Sequence, residues 1–406
     1  MHNRRRVSLV AALASTLLLT AMMALPTAAS AGLTGAPAAT SAYLTAVACS
    51  STSNCMAVGS YDVTSNSTVV FALSQRWNGH TWSAVKMPEP TGATAVLLRA
   101  VACGSAASCT TVGEFYTSAF SPSSALVEHW NGTKWSIEAP PAMKGASQSA
   151  LEDVACEGAS SCTAVGYYEN AGDDSQNVAE HWNGSKWSLE VTPDYSKLQS
   201  TLNGVACTSA SSCTAVGQAW NTAQAWVTFA EHWNGHKWSL EVTPDAPGAV
   251  ENFLQGVACA SATNCMSAGY TLSNHDTTQL TLGEHMSGTA WKLETTLNPS
   301  AALEPRNNLN HVACTSTSSC TAVGWDENIH YVSVTLAEHW NGTSWAAMKT
   351  ANASAGTEGS QLSGVACTSS SSCTAVGSDT NSKLVDATLA EHWNGHTWAL
   401  MVTAAP

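Results

Sequence analysis

The side chains best suited to chemistry in this sequence are fourteen cysteines and six Glu-His dyads, and both recur at regular spacing. The cysteines fall as Cys49/Cys55, Cys103/Cys109, Cys156/Cys162, Cys207/Cys213, Cys259/Cys265, Cys314/Cys320 and Cys367/Cys373, seven C-x5-C units that use every cysteine. Such pairs could bind zinc or close a disulfide. Structural zinc sites usually use C-x2-4-C, and an exported chain meets an oxidising compartment, so disulfides are expected, with no metal and no cofactor. Each bond would pin a short hairpin and contribute about 2 kcal/mol by chain-entropy reasoning. The dyads run from Glu128-His129 through Glu180-His181, Glu231-His232, Glu284-His285 and Glu338-His339 to Glu391-His392. A carboxylate beside an imidazole can do acid-base work. Sixfold repetition is not what one asymmetric active site needs, and neighbours on a strand point to opposite faces. The dyads therefore read as structural, each buried polar group being expected to find a hydrogen-bond partner. No catalytic residue is assigned, and no G-x-S-x-G, P-loop or H-E-x-x-H motif is present.

Positioning these residues is the work of a repeat. Successive cysteine pairs start 51 to 55 residues apart, each followed by a second motif, Glu231-His232-Trp233-Asn234-Gly235-His236-Lys237-Trp238 in the fourth repeat. That repeat parses into four strands: a, Leu202 to Cys207; b, Cys213 to Gln218 after a five-residue link; c, Val227 to Trp233; and d, Trp238 to Thr243. Asn-Gly marks the c-d reversal, with a two- or four-residue loop. Either register puts Trp233, Trp238, Leu240 and Val242 on one face and His232, Ser239 and Glu241 on the other. Four-stranded units of this length bury both faces by packing around an axis. The expected fold is an all-β, seven-bladed β-propeller with one C-x5-C disulfide hairpin per blade, blades lying at about 41–88, 95–141, 148–194, 199–246, 251–299, 306–353 and 360–406 of one domain, 41–406. An open β array competes, because no spare terminal strand is visible to lock the ring. Closure would then rest on packing between blades 1 and 7. Blade 1 departs from the motif with Gln75-Arg76, and blade 5 with Met286-Ser287-Gly288.

The pattern V-A-C-x-S-x-x-x-C-x-A-V-G followed by E-H-W-N-G-x-x-W resembles a group of secreted bacterial repeat proteins over nearly the whole chain. More distantly, the G-x-x-W ending, as in Gly132 to Trp135, Gly184 to Trp187, Gly342 to Trp345 and Gly395 to Trp398, is similar to the Asp-box (BNR) repeats of sialidases and to photosystem II assembly-factor propellers. Tryptophan (Trp130, Trp182, Trp340, Trp393) stands where the Asp-box aspartate would be. The resemblance thus implies a hairpin and a propeller, not a sialidase. A sialidase would need an arginine cluster, an acid and a tyrosine paired with glutamate, and only Arg76, Arg99 and Arg306 would remain in different parts of their repeats.

Function is expected where repeats differ. The a-b and c-d links share one, monotonous end of the blades; the b-c and d-a links share the other. Just after each strand b come Tyr61-Asp62, Glu114-Phe115-Tyr116, Tyr167-Tyr168-Glu169, Trp220-Asn221, Tyr270, Trp325-Asp326-Glu327 and Asp379. Aromatics among carboxylates suit a sugar or peptide surface. The candidate ligand-binding set is Tyr61, Asp62, Glu114, Tyr116, Tyr168, Glu169, Trp220, Tyr270, Trp325, Asp326, Glu327 and Asp379. The bland alternative is that these residues merely prolong strands and pack between blades. The leading reading is a secreted, non-enzymatic binding or scaffold module for a glycan, cell-wall component or extracellular protein, acting as a monomer. The alternative is a sialidase-like or other glycoside hydrolase on the same face, with Glu114, Glu169, Asp326 and Glu327 as carboxylates.

The chain's beginning and charge agree with export. Arg4, Arg5 and Arg6 precede an apolar run, Val7 to Leu25, and the small residues Ala29-Ser30-Ala31, so 1–31 reads as a signal peptide and 32–40 as a flexible leader. Its removal makes the formal charge of −14 three units more negative, against nucleic-acid binding. No later run is long enough for stable membrane insertion. The expected localisation is extracellular or cell-wall associated.

Overall fold

The computed structural model describes residues 41–406 apart from 64–68, 120, 173, 194, 196–197, 274–277, 300–303 and 352–357. The signal peptide and leader expected at 1–40 lie outside the described residues. The described residues form a seven-bladed β-propeller, each blade four consecutive antiparallel strands. In blade 4 these are a, Ser200–Ser209; b, Ser212–Trp220; c, Trp226–Trp233; and d, Trp238–Glu241. Among the described residues, no helix is long and apolar enough to cross a membrane.

Strands a and b run further than sequence reading expects, leaving a two-residue a-b turn in place of a five-residue link: Ser209 pairs with Ser212, and Cys207 faces Cys213 across the hairpin. The c-d loop has four residues, with Trp233 paired to Trp238. Gly235 takes φ +89°, and Asn234 Oδ1 accepts the His236 and Lys237 amides at 3.0 and 3.1 Å, which closes the turn from inside. Strand d stops at Glu241, not Thr243, and Val242 is 91% exposed.

All seven intra-repeat disulfides are formed, Cys49–Cys55, Cys103–Cys109, Cys156–Cys162, Cys207–Cys213, Cys259–Cys265, Cys314–Cys320 and Cys367–Cys373, and among the described residues no cysteine is free. Their role is wider than pinning a hairpin, which is all that the spacing suggests. The first cysteine of each pair is half-buried, but the second is fully buried: Cys55, Cys109, Cys162, Cys213, Cys265, Cys320 and Cys373 are each at most 3% exposed. The reason is their place in strand b, where each belongs to an apolar cluster that fills a gap between blades. Four of these sulfurs reach the preceding blade, Cys162, Cys213, Cys265 and Cys373 lying 3.7 to 3.8 Å from the hydroxyls of Thr110, Thr163, Thr214 and Thr321. The second cysteine of each bond is therefore part of the core between blades, while the first lines the centre of the ring.

The strands a stand innermost, each packed against the next around the ring, and strand a of blade 1 (Ser41–Ser51) packs against that of blade 7 (Gly359–Ser369). Aliphatic and indole side chains fill the gaps between blades. Leu202, Val205, Phe229 and Trp238 of blade 4 pack with Val165 and Ala179 of blade 3. The ring closes without exchanging a strand: Leu44, Leu73 and Trp82 of blade 1 pack on Val376 and Ala390 of blade 7.

Polar groups knit the same gaps. The indole of Trp187 donates to Glu138 at 2.9 Å, Trp238 to Glu190 at 2.7 Å and Trp291 to Glu241 at 2.8 Å, each reaching strand d of the preceding blade. The dyad glutamates are all 0% exposed. Glu231 accepts from Asn177 at 2.8 Å and Glu284 from Thr228 at 3.1 Å, again in the preceding blade. Among the described residues, neither oxygen of Glu128 or Glu180 has a hydrogen-bond partner, contrary to expectation. Burial pushes both carboxyls up to about 8, so the neutral acid is the buried form and the full cost of an unpaired charge does not arise. The dyad histidines face the other way: His181, His232 and His392 lie 3.4 to 3.5 Å from Thr163, Thr214 and Thr374 on strand b.

Candidate functional site

In every blade strand a carries one residue more than strand b between a leucine and the V-A-C run. The glycine of A-V-G makes this bulge possible. A Cβ on Gly217 would fall on the carbonyl oxygen of Thr201, and the same collision is met at Gly59, Gly113, Gly166, Gly269, Gly324 and Gly377. The extra residues are Thr45, Arg99, Glu152, Asn203, Gln255, Asn310 and Ser363. All seven blades line a central cavity of about 600 Å3 running from this polar ring to the disulfides. Three ring members reach onward to the next blade: Thr45 Oγ1 donates to Leu98 O at 2.8 Å, Asn203 Nδ2 to Leu254 O at 2.8 Å and Asn310 Nδ2 to Leu362 O at 2.7 Å. Behind the ring, Asp153 accepts the Val205 and Val154 amides at 2.8 Å each, while burial raises its carboxyl to about 7. Burial also drives the His311 imidazole down to about 4, keeping it neutral.

The strongest electrostatic feature of this wall is in blades 2 and 3. Arg99 Nη2 donates to Glu114 Oε1 at 2.6 Å, its Nε lies 3.8 Å from Glu152, and Tyr116 Oη donates to Glu114 Oε2 at 3.0 Å. Burial works against the Arg99 charge, but Glu152 and Glu114 together hold its pKa above the ordinary value. Burial and the same two carboxylates push the Tyr167 hydroxyl up strongly. The Glu114 side chain is 2% exposed and that of Arg99 39%, so a ligand in the channel would meet the guanidinium before the carboxylate.

At the b-c and d-a end of blades 4 and 5 lies an aromatic ladder. Trp220, the last residue of strand b, meets Trp226, the first of strand c, edge to face at 5.3 Å. Trp226 lies 6.2 Å from Phe253 in strand a of blade 5 (Glu251–Ser261), and Phe253 stacks on Tyr270 at 4.8 Å and 22°. All four rings are partly exposed.

The structure therefore joins some sequence candidates and separates others. Trp220 and Tyr270 belong to one ladder, bridged by Trp226 and Phe253, which motif reading missed. Their signal was the aromatic at the far side of each hairpin, since Trp226 pairs with Trp220 and Phe253 with Tyr270. Glu114 and Tyr116 join Arg99. The others join neither group: Tyr61 stacks on Phe71 at 5.3 Å and packs on the core between blades 1 and 7, Tyr168 packs on the core between blades 2 and 3, and Asp379 accepts from Ser360 at 2.7 Å within blade 7. Asp62, Glu169, Trp325, Asp326 and Glu327 fall on the last turns of their strands b, with Asp326 buried beside its register partner Asn307. Sequence reading also missed the polar ring. Its signal was the first of the two variable positions inside the otherwise constant L-x-x-V-A-C segment, read as Leu44-Thr45, Leu98-Arg99, Leu151-Glu152 and so on.

Fold and wall together define a disulfide-stapled β-propeller with an aromatic platform at one end and a charged channel. No family model matches the chain, and no curated protein matches it. Solved structures do. The β-propeller domain of the Trilobed protease from Pyrococcus furiosus, described as having an open velcro topology, aligns with 6% identity and a TM-score of 0.52 over 89% of this chain and 98% of that one. A PL25 ulvan lyase bound to a GlcA(1-4)Rha3S unit aligns with 8% identity and a TM-score of 0.53, covering 90% and 96%. The SapL1 lectin with α-methyl fucoside aligns with 12% identity and a TM-score of 0.46, covering 78% and 98%. At 6% and 8% identity the likeness to the protease domain and the lyase is one of fold.

Proposed function

We propose that this chain is a secreted, non-enzymatic glycan-binding propeller whose ligand stacks on the Trp220–Trp226–Phe253–Tyr270 ladder. The ladder carries the reading. Four contacting, partly exposed rings offer flat apolar faces of the kind that pack against sugar C–H surfaces, and the blades hold them rigid before any ligand arrives. The seven disulfides fit an oxidising compartment. Cell-wall glycans are the natural ligand class for such a module, and one ring per chain suffices to present the ladder.

A glycoside hydrolase is the second reading, favoured by the Tyr116–Glu114 hydrogen bond beside Arg99. It ranks lower because Arg99 is already engaged by Glu114 and Glu152, and because Glu114 is sealed from the channel. A glycan array probed with residues 32–406, run beside a hydrolysis assay on every glycan retained, separates the two. Retention without turnover supports the binding module. Turnover that disappears in Glu114→Gln, with melting unchanged, replaces it by the hydrolase.

A further inference from the structure

The Trp-to-Glu latch between blades cannot form where strand d lacks its glutamate. Blades 2, 3 and 4 end strand d in Glu138, Glu190 and Glu241, and each carboxylate takes the indole N–H of the following blade. In blade 5 the counterpart Glu294 turns to His285 at 3.6 Å instead. Blade 6 reads Trp345-Ala346-Ala347-Met348 and has no carboxylate there at all. Trp398 of blade 7 is 5% exposed and, among the described residues, its indole nitrogen has no acceptor, as is also the case for Trp345 of blade 6 and Trp82 of blade 1; at Trp398 alone of these three the orphaned N–H coincides with an open groove. In the same place the two alanines leave a groove of about 610 Å3 on the outer edge of the ring, bounded by Met348, Lys349, Trp393, His396 and Trp398. Its ionisable lining residues are Lys349, His396 and His339, with no carboxylate among them, in a chain of formal charge −14. The corresponding groove between blades 1 and 2, beside Trp135, is about 290 Å3, and there the indole is satisfied by Ser74 at 3.1 Å.

We propose that the groove between blades 6 and 7 is a second carbohydrate site, one that takes an acidic sugar. The sugar carboxylate lies against Lys349 and, as the flexible Met348 side chain swings aside, accepts the Trp398 indole N–H in the manner of the missing glutamate. The partly exposed Trp393 ring, 5.9 Å from Trp398, packs against the sugar face. This site lies by the c-d hairpin of blade 7, at the opposite ends of the blades from the aromatic ladder, and it stands or falls separately from the ladder's ligand.

The test is an NMR titration of the intact mature chain with methyl β-glucuronoside, following the Trp398 indole N–H, with methyl β-glucoside and acetate as parallel arms. The glucuronoside should shift that resonance saturably, while glucoside and acetate bind at least tenfold more weakly. Met348→Glu restores the latch found in blades 2 to 4, should fold like the parent, and should weaken glucuronoside binding at least tenfold. Lys349→Ala should do the same without restoring the latch. Equal shifts with glucoside would remove the carboxylate from the proposal, and equal shifts with acetate would remove the sugar. No saturable shift, or full binding by Met348→Glu, would overturn it.

Discussion

Gln75 holds Ala404 by both ends of its amide: Nε2 donates to the Ala404 carbonyl at 2.8 Å and Oε1 accepts the Ala404 N–H at 3.0 Å. This contact joins blade 1 to the segment after the last strand of blade 7, and it sits where six other repeats carry the dyad glutamate. An amide can serve both partners at once, which a carboxylate cannot. Ser41 Oγ adds a second tie, accepting the Asp386 amide at 3.1 Å.

Gln75→Ala should therefore lower stability by about 1–3 kcal/mol, because it empties a buried amide position and leaves the half-buried Ala404 N–H and C=O without their partners. Urea unfolding measures the loss. A midpoint equal to wild type would mean that apolar packing between blades 1 and 7 closes the ring unaided.

The dyad glutamates predict an unusual pH dependence. Burial raises Glu128, Glu180, Glu231 and Glu284 to about 8, and Glu338 and Glu391 to about 7, from an ordinary 4.5. Between these limits the fold keeps protons that the unfolded chain releases. Their stabilisation is complete below about pH 4.5 and is lost as pH rises through 7 to 8. The melting temperature should fall from pH 6 to pH 8.5, and the triple variant Glu180→Gln, Glu231→Gln, Glu284→Gln should flatten that slope while keeping an acceptor for Asn177. A melting temperature that rises over this interval in wild type contradicts the assignment.

Gly217 tests the bulge that builds the channel wall. Gly217→Ala should cost about 3 kcal/mol or more, since its Cβ would meet backbone that cannot retreat. Gly158→Ala, where nothing lies within 4 Å of an added Cβ, should change stability by less than about 0.5 kcal/mol. Thermal melts of the pair decide it, and similar values for both would remove the steric reason for the repeated glycine.

What could be read from sequence followed from periodic constraints. The paired cysteines, the Asn-Gly reversals and the alternating Trp and Glu positions each recur at a fixed spacing inside one repeat, so repetition exposed the blades, the hairpins and the disulfides. Relations between repeats were hidden. Trp226 and Phe253 belong to different blades and meet only after the ring is assembled. Cys213 reads as a hairpin staple because its bonded partner is six residues away, while its contact with Thr163 comes from the preceding blade. Arg99 looked isolated because its partners Glu114 and Glu152 come from the neighbouring strand and the next blade. The bulge was missed because it depends on a carbonyl crossing over a glycine, a contact with no hydrophobic signature. The a-b link reads too long because serine and threonine, common in loops, also extend twisted strands.

The central claim is the aromatic ladder, and calorimetry on Trp220→Ala with the best ligand from the array tests it most directly. The account predicts a loss of about 1–3 kcal/mol in binding free energy with an unchanged melting temperature, while Ser211→Ala and Ser371→Ala at the disulfide end bind as wild type. Unchanged affinity in Trp220→Ala and Trp226→Ala, with loss in the serine variants, would contradict it and place the ligand at the opposite end of the ring.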